Sequence, residues 1–168
     1  MMLPDARDVA GRWLKDKGDI TVGLVNDPWY WSPSIQPEVD MMRTDPRRFD
    51  RVMALWASWD KPKVARYFPP NPAERVEWDV RLLTEMKPDY VSFSSFEYVP
   101  FKRMSELKDP DEVEKTYGAR FLEFKKVLET DYTPVREIDP NHLDMVEDME
   151  YVRPNVLTWQ RKKTSASP

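Results

Sequence analysis

The order of apolar segments in the second half of the chain constrains the fold most strongly. An aromatic and apolar run, Tyr90 to Phe96, follows the helix-breaking Lys87-Pro88-Asp89, and two further runs cover Thr133 to Ile138 and Tyr151 to Gln160. Short runs rich in β-branched and aromatic residues are typical of strands. The sequence therefore predicts three strands in this half.

A long helix is predicted between the first two of these strands. Asp109-Pro110-Asp111-Glu112 has the composition of a helix start, and the helix is expected to run to about Glu129. Its apolar side recurs at intervals of three or four, with Val113, Tyr117, Phe121, Phe124 and Leu128.

The first half alternates in the same way. We predict a helix from Pro4 to Lys17, a buried strand from Ile20 to Val25 and a Pro-rich loop from Asn26 to Pro37. A second helix is predicted from Asp45-Pro46, followed by an irregular connection from Pro62 to Pro72. A third helix is predicted after Asn71-Pro72, with the apolar residues Val76, Val80, Leu83 and Met86.

This order predicts an α/β fold, a three-layer sandwich with a mixed, mainly parallel sheet of about four strands and an antiparallel C-terminal edge. We expect one α/β domain over residues 1–160, because 168 residues are too few for two comfortable domains. Residues 161–168 are expected to form a flexible polar tail.

Charge and composition exclude several classes of function. The net charge is −4 with both signs interspersed, so no basic stripe for nucleic acid is present. No apolar run approaches the roughly 20 residues of a membrane helix. The chain has no Cys, which removes thiol catalysis and thiolate metal sites. With no signal peptide apparent, a stand-alone chain is expected in the cytoplasm.

The segments also resemble, in order, the soluble C-terminal domain of the membrane glycosyltransferases of the protein-mannosyltransferase-like type, which use polyprenyl-phosphate sugars. The matching segments are Asp5 to Leu14, Ile20 to Val25, Pro88 to Ser95, the helix with Tyr117, Phe121 and Leu122, Pro134 to Pro140, and Pro154 to Arg161. Residues Val39 to Ala73 depart from the family by their greater length, and Phe124 to Val127 match it only loosely.

The resemblance implies a location on the extracytoplasmic face of a membrane, with the transmembrane part of the enzyme and a saccharide or glycolipid as partners. In that family the catalytic acid lies in the membrane portion. The resemblance therefore implies no catalytic residue, no metal ligand and no cofactor in this chain.

The loop with Trp29, Tyr30 and Trp31 is the leading candidate for a binding surface. Aromatic faces after a strand suit stacking on a sugar ring or packing on a partner, and such loops carry ligands in α/β sheets. The alternative is that these rings fill the core of the domain itself.

Acidic residues offer a second candidate site. Asp27 and Glu97, with Tyr98, each follow a predicted strand, and two carboxylates at one sheet edge are what a hydrolase of glycosidic bonds needs. Solvated loop acids are the alternative. His142 among Asp139, Asp144, Glu147 and Asp148 has no metal-binding spacing and is interpreted as an exposed acidic connection.

A basic neighbourhood, formed by Arg47, Arg48, Lys61, Lys63 and Arg66, is interpreted as ordinary charged surface, with anionic lipid headgroups as the alternative partner.

The leading interpretation is thus a non-catalytic accessory domain that covers a membrane active site or holds an acceptor or partner. A structural subunit of a larger assembly and a small hydrolase that uses Asp27 and Glu97 are the two alternatives.

Overall fold

The computed structural model describes residues 5–26, 32–33, 35, 63–65, 74, 76–138 and 154–163, with the backbone alone for 63–65. Within these ranges the helices are Ala6–Lys15 (α1), Ser95–Ser105 (α2) and Glu112–Asp131 (α3), the strands are Thr21–Gly23 (β1), Lys63–Ala65 (β2), Tyr90–Ser94 (β3), Tyr132–Ile138 (β4) and Val156–Arg161 (β5), and a π-helical turn covers Leu82–Met86.

The five strands form one mixed sheet in the order β2-β1-β3-β5-β4. Strand β1 runs parallel to β2 and to β3, while β5 runs antiparallel to β3 and to β4. The α/β class, the mixed sheet and the antiparallel C-terminal edge are confirmed. The fifth strand is β2, which lies within the segment from Pro62 to Pro72, so the prediction of an irregular connection is wrong at this point.

Helices cover both faces of the sheet. Val91 and Phe93 point from β3 into a cluster with Phe121, Phe124 and Leu128 of α3. On the opposite face Tyr90 packs in a second cluster with Leu14 of α1, Val22 and Leu24. This alternation follows from the two-residue period of a strand. It produces the predicted three layers, with β3 buried along its whole length.

Trp78 is the centre of the larger cluster. Its ring centroid lies 5.0 Å from that of Phe121, 5.1 Å from Phe93, 5.2 Å from Phe124 and 6.0 Å from Phe101. The first three pairs are edge-on, the geometry that aromatic rings prefer. The backbone of Trp78 is left-handed, with φ of 57°.

The helix predicted after Asn71-Pro72 is confirmed only at its end, from Arg81 to Met86. Glu77 and Trp78 form a turn, and a π-helical turn covers Leu82–Met86, ending at Lys87 with φ of 49°. The left-handed backbone at Trp78 interrupts any helix through this position, since right-handed helices need negative φ. In return, the Trp78 ring enters the core with only 2% of its surface exposed.

Helix α3 agrees closely with its prediction. It starts at the N-cap Asp111, whose carboxylate accepts hydrogen bonds from the amides of Val113 and Glu114. Val113 itself is 60% exposed, contrary to the predicted apolar face. One turn later, Tyr117 contacts α2, with its ring centroid 5.7 Å from that of Phe101.

Gly118 allows the close approach of α2 and α3, because a Cβ atom there would lie 2.9 Å from Ser105 Cα.

Among the described residues, no helix combines the length and apolar character needed to cross a membrane.

Candidate functional site

The carboxyl ends of the parallel strands β1 and β3 lie at the same edge of the sheet, which is called the carboxyl edge below. This is the position where α/β sheets generally bind ligands. Helix α2 begins there directly after β3, so the predicted strand Tyr90 to Phe96 is wrong in its last two residues. Ser95 and Phe96 form the first turn of the helix instead.

Glu97 caps the N-terminus of α2. Ser94 is the N-cap residue, and its amide donates to Glu97 Oε2 at 2.8 Å, the carboxylate half of a capping box. Ser32 Oγ donates to the other carboxylate oxygen, Oε1, at 2.9 Å. A carboxylate near a helix N-terminus is further stabilised by the helix dipole.

The start of β5 joins the same edge. The amide of Ser95 donates to the carbonyl of Asn155 at 2.8 Å, and the amide of Asn155 donates to Ser95 Oγ at 3.1 Å. Ser94 Oγ and Asn155 Oδ1 are buried and have no hydrogen-bond partner of normal geometry within the described residues. The polar groups here tie strand and helix ends together.

This geometry gives Glu97 a structural role. It is 4% exposed, and both carboxylate oxygens accept hydrogen bonds from neighbours in the fold. The interpretation of Glu97 as a solvated loop acid is therefore wrong, because the capping box turns the segment after β3 into a helix. In this conformation the buried Glu97 carboxylate is not accessible to a substrate.

Tyr98 follows on the same helix and packs inward. Its ring lies 5.9 Å from Phe93 in an edge-on arrangement, against the main core cluster. The other predicted site residues, Asp27, Trp29, Tyr30 and Trp31, lie outside the described residues. The pairing of Asp27 with Glu97 and the exposure of the aromatic loop therefore stay predictions, as do the roles assigned to His142 and to the side chains of the basic neighbourhood.

A cavity of about 410 Å³ opens beside the carboxyl edge, between α2 and α3. Phe101, Met104 and Tyr117 supply its apolar wall, and Glu77 and Arg120 supply its charges. Asn26, three residues after β1, donates from Nδ2 to Glu77 Oε1 at 2.9 Å. The Arg120 guanidinium lies 5.4 Å from the centroid of the Tyr117 ring.

Sequence reasoning missed this cavity, which has the character of a ligand site. Apolar and aromatic walls with a few oriented polar groups are typical of sites for small molecules. Glu77 and Arg120 come from segments with no common motif, so only the packing of the turn at Glu77 against α2 and α3 brings them to one cavity. Within the described residues, no group of three or more His, Asp or Glu side chains forms a metal site.

A second cavity of about 610 Å³ lies at the opposite edge, where β3 begins, and is called the amino-edge cavity. The charged residues Lys87, Asp89, Asp131, Arg161, Lys162 and Lys163 line it, together with Tyr132. Arg161 is the last residue of β5, and Lys162 Nζ donates to the carbonyls of Glu129 and Thr130 at the end of α3. Residues 164–168 lie outside the described residues.

Tyr132 gives the amino edge a measurable pH dependence. Its hydroxyl donates to the Pro88 carbonyl at 3.0 Å, and burial raises the pKa of Tyr132 to about 12, with Asp131 and Asp89 acting in the same direction and Arg161 against it. In the unfolded chain this hydroxyl ionises near its ordinary pKa of about 10. The folded state therefore retains the proton over the interval from about pH 10 to 12.

We expect this group to lower the free energy of unfolding as pH rises through that interval, by at most about 1.4 kcal/mol per pH unit. Below pH 10 its contribution is constant. Urea unfolding of the natural chain and of Tyr132→Phe between pH 9 and 11.5 gives the free energy of unfolding at each pH. This free energy should fall less steeply with pH in the variant than in the natural chain. Parallel slopes would contradict the assignment.

Comparison of the chain with protein-family models, with curated proteins and with solved structures finds no match.

Proposed function

We propose that this chain is a non-catalytic accessory domain of a polyprenyl-phosphate-sugar-dependent membrane glycosyltransferase. It lies on the extracytoplasmic face of the membrane, where it covers the active site in the membrane portion or holds the acceptor or a partner. The observation that carries the proposal is the burial of the Glu97 carboxylate in a helix cap. The one predicted site acid in the described residues is buried in a helix cap, so Glu97 does not serve there as an exposed member of a catalytic carboxylate pair.

The cavity between α2 and α3 supports the binding part of the proposal. Tyr117 and Phe101 provide apolar ring surface, Glu77 can accept hydrogen bonds from hydroxyl groups, and Arg120 can donate them. A saccharide presents an apolar ring face surrounded by hydroxyl groups, which matches this combination. The order of helices and strands on which the resemblance rests supports the assignment to a glycosyltransferase.

The first experiment tests for chemistry in the chain itself. Purified chain is incubated with radiolabelled polyprenyl-phosphate mannose and an acceptor peptide, and transferred label is counted. We expect no transfer above the level without protein. Reproducible transfer that Glu97→Gln abolishes, while the variant stays folded, would overturn the proposal in favour of an enzyme that uses this carboxyl group.

A second experiment tests for binding. Methyl α-mannoside and mannobiose are titrated into the ¹⁵N-labelled chain, and amide shifts near Tyr117 and Arg120 are followed. Arg120→Gln should weaken the response, whereas Arg103→Gln, an exposed position on α2 outside the cavity, should leave it unchanged. Absence of both transfer and saccharide binding would favour the alternative of an interaction subunit.

A further inference from the structure

The amino-edge cavity carries an excess of positive charge that the proposed function does not use. Four cationic side chains, from Lys87, Arg161, Lys162 and Lys163, line it against the carboxylates of Asp89 and Asp131. They come from the end of the π-helical turn and from the end of β5. A concave surface with charge of one sign in excess concentrates ions of the opposite sign.

Two of the four cations have structural partners. Arg161 donates from Nη1 to the Lys87 carbonyl at 2.6 Å and from Nη2 to Asp89 Oδ1 at 3.3 Å. Asp89 Oδ2 also accepts from the Thr21 amide at 2.9 Å, so this carboxylate is already satisfied. Lys162 is bound to the last carbonyls of α3, where it balances the negative end of the helix dipole.

The other two cations, Lys87 and Lys163, are available for a ligand. Both are exposed, and neither ammonium group makes a hydrogen bond or an ion pair within the described part of the chain. Of the described acids that line the cavity, Asp131 alone remains to oppose them. A net positive charge therefore faces the cavity after the internal pairs are satisfied.

The backbone at Lys87 holds this lysine in a defined place. Its φ of 49° is left-handed, a conformation that is unfavourable for a residue with a Cβ atom. The fold maintains it with hydrogen bonds at both sides of the residue, from the Lys87 amide to Leu82 O at 3.1 Å and from Arg161 Nη1 to the Lys87 carbonyl. Unusual backbone conformations that the surroundings fix are often found at binding sites.

We propose that the amino-edge cavity binds a phosphate group through Lys87 and Lys163. A phosphate ester carries the charge that these ammonium groups can pair with, and a volume of about 610 Å³ admits the ester with an attached organic group. The group comes from a soluble phosphate ester or from the headgroup of an anionic lipid. This inference does not depend on the proposed glycosyltransferase partner, because it concerns the opposite edge of the sheet.

The test uses the full chain at low ionic strength. Glycerol 3-phosphate is titrated while the amide signals of Lys87 and Lys163 are recorded, and flotation with phosphatidylglycerol vesicles is compared with flotation with phosphatidylcholine vesicles. A saturable response to the soluble ester assigns a soluble ligand. A response to phosphatidylglycerol vesicles alone assigns the headgroup. Either result supports the site, and no response in both arms overturns it.

Two double variants distinguish binding at this cavity from nonspecific attraction by surface charge. Lys87→Gln with Lys163→Gln should weaken binding about 30-fold, the combined effect of two charges at the surface. Arg103→Gln with Lys108→Gln removes the same charge from exposed positions outside the cavity and should leave binding within about twofold. Equal losses in the two double variants would overturn the proposal. Both should retain the unfolding midpoint of the natural chain, since none of the four side chains makes a hydrogen bond or an ion pair within the described part of the chain.

Discussion

Replacement of Trp78 by Ala is expected to lower the free energy of unfolding by roughly 3–5 kcal/mol, the range for an aromatic side chain removed from a core. Trp78 is 2% exposed and contacts four phenylalanine rings from β3, α2 and α3. Its loss leaves a cavity at the point where these elements meet. Urea unfolding followed by far-ultraviolet circular dichroism measures the change without depending on the other tryptophans.

The comparison of Trp78→Ala with Trp78→Gly tests the left-handed backbone separately from the ring. Both variants lose the ring, but only Gly adopts a φ of 57° without steric cost. We therefore expect the Gly variant to be at least as stable as the Ala variant, the reverse of the usual order. An Ala variant that is more stable by about 1 kcal/mol would show that the backbone does not hold this conformation. Trp13→Ala, at a partly buried ring, should cost less than either.

The second large effect is expected at Glu97. Glu97→Ala leaves the buried Ser94 amide and the Ser32 hydroxyl without their carboxylate partner, and each unsatisfied group costs about 1–3 kcal/mol. We expect the free energy of unfolding to fall by roughly 2–6 kcal/mol, measured by urea unfolding. Glu106→Ala provides the control, because that carboxylate is exposed and lies 3.9 Å from Lys102 in a weak surface pair.

Glu97→Gln distinguishes the structural role from a catalytic one. The carboxamide oxygen can still accept from the Ser94 amide, and the Ser32 hydroxyl can turn and accept from the new NH₂ group. The variant should therefore lose only about 1 kcal/mol. In a hydrolase that uses this carboxyl group, Gln would abolish turnover, whereas an accessory domain should keep its binding functions. Unchanged stability in both Glu97 variants would show that the cap contributes nothing.

The location of Glu97 was predictable from the sequence, but its environment was not. The residue was placed correctly just after the strand at the carboxyl edge. The motif Ser94-Ser95-Phe96-Glu97 has the spacing of a capping box, which was the signal for α2. The aromatic run that continues through Phe96 favours a longer strand. Pro100 argues against a helix in the sequence, because proline is unfavourable inside helices.

Other differences had no local signal. Strand β2 is three residues long, too short for a two-residue period to be visible, and it exists through its pairing with β1. The backbone of Trp78 is fixed by the rings around it, which come from three distant elements. Glu77 and Arg120 likewise meet one cavity only through tertiary packing. Helices α1 and α3 were predictable because caps and spacing lie within each segment.

The position of β5 between β3 and β4 determines when the sheet can form during synthesis of the chain. Tyr90 of β3 pairs with Gln160, 70 positions further along the chain, and β4 is joined to the sheet by β5. On the ribosome, β3 and β4 therefore emerge with unpaired edges and wait until β5 has left the exit tunnel. Unpaired edges are sites of aggregation, so we expect the nascent chain to be a client of chaperones until β5 has left the exit tunnel.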